Sequence, residues 1–382
     1  MKNKPWKILA TVLFAGVLLS TKLQAQDCIP CENNCCDDRY WVDVEYLYWK
    51  IKDSPKPPVL VISSPDSEVL LGGKEIENNW RSGGRFGLGG WFDDDRCFGA
   101  EANYFFLPTG TKSQTVSSSG LAGSPTLLIP FFDVTIPGES TTGLAIPDDF
   151  SGTATLKIAN KMQGAELNGL MLIASDCNFD LSFLAGFRYW NFQETLKFTT
   201  SSPFIHTTDV FKTKDEFKAQ NNFYGGQVGF GLDYVYNCFF FDFKAKVAIG
   251  AMCEEAIING SLATNDFDGF TTVQTFPGGY FALPTNIGRH KTTHFSVIPE
   301  TDIKLGYQWN DSLSFQVGYT FLYVSKMLWS TQEMDRNINP TQSVAISDTP
   351  TAHLVGEASP KAQLTSGNLW VQGLTVGLRY TF

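Results

Sequence analysis

The sequence has little charge, no basic excess and almost no long apolar runs. Charged residues make up 18% of the 382 positions, below the usual quarter, and the formal net charge is −10. This acidic balance disfavours nucleic acid and anionic membrane surfaces as partners. Outside residues 8–19, no stretch approaches the ~20 apolar residues that a membrane-spanning helix requires. Ordinary hydrophobicity therefore argues against a helical membrane protein.

Histidine is scarce, and no cluster has the spacing of a known metal or catalytic site. A water-activating site at the rim of the fold could use Asp266, Asp268, His290 and His294. No hydrolase motif accompanies them, and isolated loop residues of these types are usually solvated. The C-x-x-C at Cys28 and Cys31 lacks the further ligands of a zinc site. We therefore predict no catalytic residue, no cofactor and no metal.

Aromatic residues and glycine are abundant, and they follow a period of two. Aromatics reach 14% and glycines number 34. The final segment, 367–382, alternates between small or polar residues and an apolar set: Leu374, Val376, Leu378, Tyr380 and Phe382. The clearest alternation runs from Phe179 to Tyr189. An apolar face opposite a polar one is typical of a strand that faces lipid outside and a lumen inside.

The alternation recurs in ten segments, and every second connection between them is long. Short turns are predicted near 94, 176, 237 and 310, and long loops at 53–80, 108–155, 199–214, 259–290 and 329–366. This pattern predicts an all-β, antiparallel outer-membrane β-barrel with about ten strands and long extracellular loops. The count becomes twelve if the loops hide a hairpin. A soluble β-sandwich would also alternate, but it gives no reason for the long connections.

The predicted lumen face carries charges of both signs. They are Glu45, Arg85, Glu101, Glu166, Arg188, Asp242, Lys244, Lys246, Asp302, Lys304 and Arg379. These residues would form either a paired plug or a polar pore lining. Barrels of eight strands are filled by side chains, whereas wide channels need about sixteen. Ten strands therefore favour a narrow or plugged lumen.

The beginning of the chain predicts export. Residues 1–25 have the basic start, apolar run and cleavage site of a signal peptide, residues 26–38 form a periplasmic Cys-rich lead-in, and residues 39–382 form the barrel. Seven cysteines lie on the predicted periplasmic side, which is oxidising. These disulfide candidates are Cys28, Cys31, Cys35, Cys36, Cys97, Cys177 and Cys238. Bonds within the chain rank first, cross-links to other envelope proteins second and metal binding last.

Three motifs resemble one family. The segment 41–60 (W-V-D-V-E-Y-L-Y-W-K followed by a P-x-P-P loop), the Gly-Gly-Arg hairpin at 83–107 and the terminal G-L-x-V-G-L-R-Y-x-F are similar to the seventh of the numbered beta-barrel porin families, which is found in planctomycetes and chlamydia-like bacteria. The resemblance implies a barrel in the bacterial outer membrane. Tyr380 and Phe382 resemble the signal that the barrel-assembly machinery reads.

The expected function is therefore structural or porin-like. We expect outer-membrane lipid and the assembly machinery as partners, with disulfide-linked envelope proteins as a further possibility, and no nucleic acid. The alternatives are a surface adhesin that binds through loops 108–155 and 329–366, and a hydrolase at the rim.

Overall fold

The computed structural model describes residues 39–93, 97–176, 178–209, 211–265 and 272–382. Its strands, in chain order, are β1 (Tyr40–Ile51), β2 (Val59–Ser64), β3 (Val69–Gly72), β4 (Trp80–Trp91), β5 (Phe98–Ser118), β6 (Thr126–Asp133), β7 (Gly138–Ala145), β8 (Gly152–Asp176), β9 (Phe179–Ser201), β10 (Phe211–Tyr236), β11 (Phe239–Thr264), β12 (Gln274–Pro277), β13 (Gly288–Gln308), β14 (Leu313–Leu328), β15 (Asn337–Ile338) and β16 (Ser366–Thr381). The helical elements are two 3₁₀ turns, Ser330–Gln332 and Pro340–Gln342, and the short helix α1 (Val344–Ser347). None of the helices described is long and apolar enough to cross a membrane.

Ten strands close into an antiparallel barrel. Around the wall their order is β1, β4, β5, β8, β9, β10, β11, β13, β14 and β16, and β16 pairs again with β1. Strand β12 adds to the end of β11 without entering the closed wall. The all-β fold and the ten-strand count predicted from the sequence are confirmed, and the twelve-strand alternative is wrong.

The polarity of the outward and inward side chains changes along the wall strands. Near the short turns, outward side chains are apolar and exposed, as at Phe187 and Phe230, while polar side chains point inward. Tyr189 and Tyr224, which are paired across β9 and β10, end this apolar band on their strands. Beyond them the pattern inverts, so that Leu196 is buried inside and polar residues face out. The strands therefore continue well past the apolar band.

Each of the five predicted long loops contains strand residues, and two of them contain a pair of strands. The segment 108–155 contains the end of β5, the whole β6–β7 hairpin and the start of β8, and the segment 53–80 contains β2 and β3. Strands β3, β2, β6 and β7 form a second sheet, to which β15 adds in parallel beside β6. The hidden hairpin exists, but it pairs outside the wall. The apolar residues of the second sheet lie beyond the apolar band of the wall. They therefore have to be buried against other residues.

The second sheet shares a core with the inward face of the wall at the long-loop end. We call this assembly the cap domain, comprising residues 53–79, 119–151, 278–287 and 329–365 together with the wall residues that they contact. Its buried core includes Leu60, Leu127, Phe131, Leu156, Phe198, Phe217, Ile258, Phe281 and Ile338. The cap domain thus occupies the long-loop end of the barrel.

Candidate functional site

All eleven predicted lumen charges lie at inward positions of wall strands, where most are buried. Glu45, for example, alternates with the exposed Val44 and Tyr46. The period of two along each strand thus brings charges from separate strands into one interior. The structure arranges them in three connected groups.

The first group surrounds Arg188. The Arg188 Nη2 atom lies 2.7 Å from Glu166 Oε2 and 2.6 Å from Glu300 Oε2. Lys246 Nζ bridges the other oxygens of the same two carboxylates, at 2.7 and 3.0 Å. Gln227 also donates to Glu166, at 2.9 Å. Two cations and two carboxylates thus neutralise one another inside the wall, as buried charges require.

The second group surrounds Glu45. Lys304 Nζ lies 2.6 Å from Glu45 Oε1, and Arg85 Nη1 lies 3.4 Å from Glu45 Oε2. Arg85 also donates to Asp302. The Arg85 guanidinium lies 5.2 Å from the centre of the Trp49 ring, in a cation–π contact. This group therefore joins the charged interior to an apolar layer beyond it.

The third group lies nearer the short turns. Lys244 Nζ pairs with Glu101 at 2.8 Å, and Arg379 Nε pairs with Asp43 at 2.8 Å. Asp242 is buried, and the nearest cationic nitrogen, Arg379 Nη2, is 3.8 Å from its Oδ2. Charge of both signs is thus distributed down to the short-turn end.

Little free volume remains among these charges. A cavity beside Arg85, Glu166, Arg188 and Glu300 measures about 10 Å³. That volume holds about one water molecule.

An apolar layer crosses the barrel between the charges and the cap domain. Trp49, Trp190 and Trp329 are each at most 1% exposed, and Trp329 comes from the segment that follows β14. The Phe192 ring packs against Trp190, with centroids 6.1 Å apart, and against Trp329, with centroids 5.5 Å apart. The other members of the layer include Leu47, Ile51, Leu107, Met162, Phe223, Met252, Ile298, Leu322, Val324 and Leu369. The layer thus combines residues of several wall strands with Trp329 from the segment after β14.

Glu194 anchors the cap domain directly above this layer. Its carboxylate accepts hydrogen bonds from Ser54 Oγ at 2.6 Å and from Ser330 Oγ at 2.9 Å. These serines lie in the segments that follow β1 and β14, so one wall residue holds two chain segments. Burial raises the pKa of Glu194, although its hydrogen bonds oppose the shift.

Asp215 anchors a third segment. It accepts backbone N–H bonds from Tyr280 at 3.1 Å, Phe281 at 2.9 Å and Ala282 at 2.7 Å. Burial raises the pKa of Asp215 to about 6 against the opposing effect of these donors. Burial likewise raises the pKa of Glu333, which accepts from the Leu364 N–H at 3.1 Å, to about 7.

The cap domain should loosen as the pH rises from 4 to 7. The folded protein holds the protons of Asp215 and Glu333 more tightly than the unfolded chain does, so their stabilising effect is full below pH ~4 and is lost through pH ~6–7. The expected change is on the order of 1–3 kcal/mol for each group. Hydrogen exchange at Phe281 and Leu364, converted to opening free energies, measures it. The Asp215→Asn and Glu333→Gln variants should each lose their part of this pH dependence, and a wild-type protein without it would contradict the prediction.

Of the four residues predicted for a rim hydrolase, the structure describes His290 and His294. His290 Nε2 contacts the Asn286 carbonyl at 2.8 Å, and His294 Nε2 lies 3.6 Å from Glu254 Oε2. Asp266 and Asp268 lie outside the described residues, as do Cys28, Cys31, Cys35, Cys36 and Cys177. No group of three potential ligands with metal-binding geometry occurs within the described ranges. The rim hydrolase stays a hypothesis.

The other predicted positions lie at the short-turn end. Cys97 and Cys238 are at the β4–β5 and β10–β11 turns, and their disulfide bonding stays a prediction. Tyr380 faces outward, and Phe382 pairs with Tyr40 through backbone bonds of 2.9 and 3.0 Å. The sequence pattern did not single out the Trp layer, Glu194 or Asp215, because apolar residues change from the outward to the inward face partway along strands such as β9.

Comparison with solved structures finds distant barrels. The outer membrane protease OmpT from Escherichia coli is 11% identical, with a TM-score of 0.45, over 94% of this chain and 99% of that one. A Pseudomonas aeruginosa FadL homologue is 10% identical, with a TM-score of 0.23, over 90% of each chain. The Pseudomonas putida toluene transporter TodX is 9% identical, with a TM-score of 0.17, over 90% of each chain.

Comparison by sequence is more informative. No curated protein matches this chain. The family described as "Putative beta barrel porin-7 (BBP7)" matches residues 41–382, which is nearly the whole chain and includes every wall strand except the first residue of β1. The chain therefore belongs to the beta barrel porin-7 family.

Proposed function

We propose that this family member is a closed, structural barrel of the outer membrane that presents a folded cap domain at the cell surface. The observation that carries the proposal is the apolar layer of Trp49, Trp190, Phe192 and Trp329 across the barrel. Below it, the charges are paired with one another and leave little free volume. A hydrated ion would have to pass both levels, and no enzymatic activity is expected.

The proposed orientation of the barrel in the membrane follows from the difference between its two ends. Short turns join β4 to β5, β8 to β9, β10 to β11 and β13 to β14 at one end, and the cap domain occupies the other. In outer-membrane barrels the short turns face the periplasm and the larger connections face outward. The exposed apolar band between the two ends is the lipid-facing surface. We therefore place the cap domain outside the cell.

One observation favours the surface-binding alternative. Ile136, at the tip of the β6–β7 hairpin, is 79% exposed, and Val355 in the segment before β16 is also exposed. A surface adhesin would use such exposed apolar side chains of the cap domain for contact with its partner. Such binding is compatible with a closed barrel and stays a second proposal.

The refolded protein should be electrically silent in a planar bilayer. Because the Trp layer and the paired charges fill the interior, neither the wild type nor Lys244→Glu should give current steps. A gel shift on heating serves as the control that each sample is folded. Steps of fixed size that change with Lys244→Glu would show an open pore and refute the closed-barrel proposal.

A further inference from the structure

Six lysines face outward on three adjacent wall strands, beyond the apolar band. We call this surface the lysine face. Strand β8 provides two of its residues, β9 one and β10 three: Lys157, Lys161, Lys197, Lys212, Lys214 and Lys218. Glu216 faces the same way and contacts two of them, Lys197 and Lys214. In a chain with a net charge of −10, this local positive excess needs an explanation.

The strand register intensifies the repulsion within the lysine face. Lys157 lies directly opposite Lys197, and Lys197 lies directly opposite Glu216. Like charges at directly opposite positions destabilise a sheet. Glu216 is shared between Lys197 at 3.3 Å and Lys214 at 2.7 Å. Four lysines have no ion pair to any residue that the structure describes: Lys157, Lys161, Lys212 and Lys218. An anion from outside the chain would relieve this repulsion.

The height of the lysines restricts the kind of anion. Ala165 lies opposite Tyr189, at the edge of the apolar band. Lys161 and Lys157 lie four and eight residues beyond Ala165, or roughly 13 and 26 Å along the strand at about 3.3 Å per residue. With a strand tilt of about 40°, Lys157 is roughly 20 Å above the band. The polar region of a phospholipid leaflet is only about 5–8 Å thick. An oligosaccharide headgroup reaches this height, whereas a phospholipid headgroup does not.

A cavity lies where the lysine face meets the apolar band. It measures about 300 Å³, and its lining includes Tyr104, Phe106, Lys161 and Gln163. The register of β5 against β8 shifts between Leu107 and Gly110, which interrupts the wall beside this cavity. Aromatic rings with a few polar groups are typical of small-ligand sites. Here the rings can contact a sugar face while Lys161 meets an attached anionic group.

We propose that the lysine face and this cavity bind an outer-leaflet glycolipid whose oligosaccharide carries phosphate groups. The proposal rests on the outward placement of the cap domain, but it does not depend on whether the lumen conducts. The lower sugars would occupy the cavity beside Lys161. The phosphates further out would lie between the facing side chains of Lys157 and Lys197.

The test is a binding titration of the full chain in neutral-detergent micelles with purified rough lipopolysaccharide that carries a phosphorylated inner core. The Lys157→Gln/Lys197→Gln variant should bind about tenfold or more weakly, since each basic residue near an anionic lipid surface contributes about 1 kcal/mol. The matched control is Arg289→Gln/Lys291→Gln on β13, whose charges already contact Glu255. It should lose less than about threefold in affinity.

A second readout keeps the test independent of misfolding. Without lipid, Lys157→Gln/Lys197→Gln should unfold at the same denaturant midpoint as the wild type, because it removes both a like-charge pair and the surface ion pair of Lys197 with Glu216, whose effects oppose each other. Equal losses in the two double variants would mean non-specific attraction and overturn the proposal. The proposal is also overturned if dephosphorylated lipopolysaccharide or phosphatidylglycerol binds as well as the phosphorylated probe. It is likewise overturned if the wild type does not bind the phosphorylated probe.

Discussion

Replacing Arg188 by alanine should lower the free energy of unfolding by about 3–5 kcal/mol, as expected when one partner of a buried ion pair is removed. The Arg188 side chain is 4% exposed and contacts both Glu166 and Glu300. Without it, two buried carboxylates would share Lys246 as their remaining close cation. Chemical denaturation in micelles, followed by tryptophan fluorescence, measures the loss.

The control for Arg188→Ala is Arg289→Ala. The Arg289 side chain is 68% exposed and pairs with Glu255 at 3.1 Å. Water already solvates the Arg289 guanidinium, so its replacement should cost about 1 kcal/mol or less. Similar losses in the two variants would contradict the paired, buried character of the interior.

Trp329→Ala should also cost about 3–5 kcal/mol, the usual range for truncating a large buried aromatic residue. Trp329 is fully buried, packs edge-on against Phe192 and donates from Nε1 to the Asn368 carbonyl at 3.3 Å. Its loss leaves a cavity in the apolar layer and releases the start of the segment 329–365. We expect both a lower free energy of unfolding and faster hydrogen exchange in that segment.

Trp309→Ala provides the matched comparison because it makes the same change at the short-turn end. Trp309 is 68% exposed and packs at its edge against Phe315. Its replacement should cost about 1 kcal/mol or less and leave exchange in the segment 329–365 unchanged. If Trp309→Ala destabilised the protein as much as Trp329→Ala, the apolar layer would have no special role in holding the cap domain.

The lower wall could be predicted because each face has one environment there. In β9, Phe187 and Tyr189 face lipid and Arg188 faces the interior, so apolarity marks the outward positions. After Tyr189 the pattern reverses: the next inward positions, Trp190 and Phe192, are apolar. The strand itself continues. Only the solvent outside changes from hydrocarbon to water, and the interior changes from charged to apolar.

That reversal explains the predicted loops that proved to be structured. Where the outward residues become polar, the sequence no longer shows an apolar outward face. The alternation then predicts strand ends that are too early. Contacts such as Ser54 with Glu194, 140 positions apart, leave no local pattern in the sequence. The apolar patch at 127–132 was visible, but its partners in the wall could not be identified without the topology.

The pairing of β1 with β16 has a consequence for assembly. It joins Tyr40 to Phe382, whereas four other contacts in the wall are hairpins with short turns. Closing a ring of this size costs roughly 5 kcal/mol of chain entropy by the logarithmic scaling with loop length. Until the ring closes, two strand edges carry unpaired peptide groups, each of which costs several kcal/mol in hydrocarbon. An unclosed wall therefore has no stable state within the bilayer. Insertion and closure of the β1–β16 seam are consequently one cooperative step. The inserted protein can leave the membrane only by opening this seam, at the same cost in unpaired peptide groups.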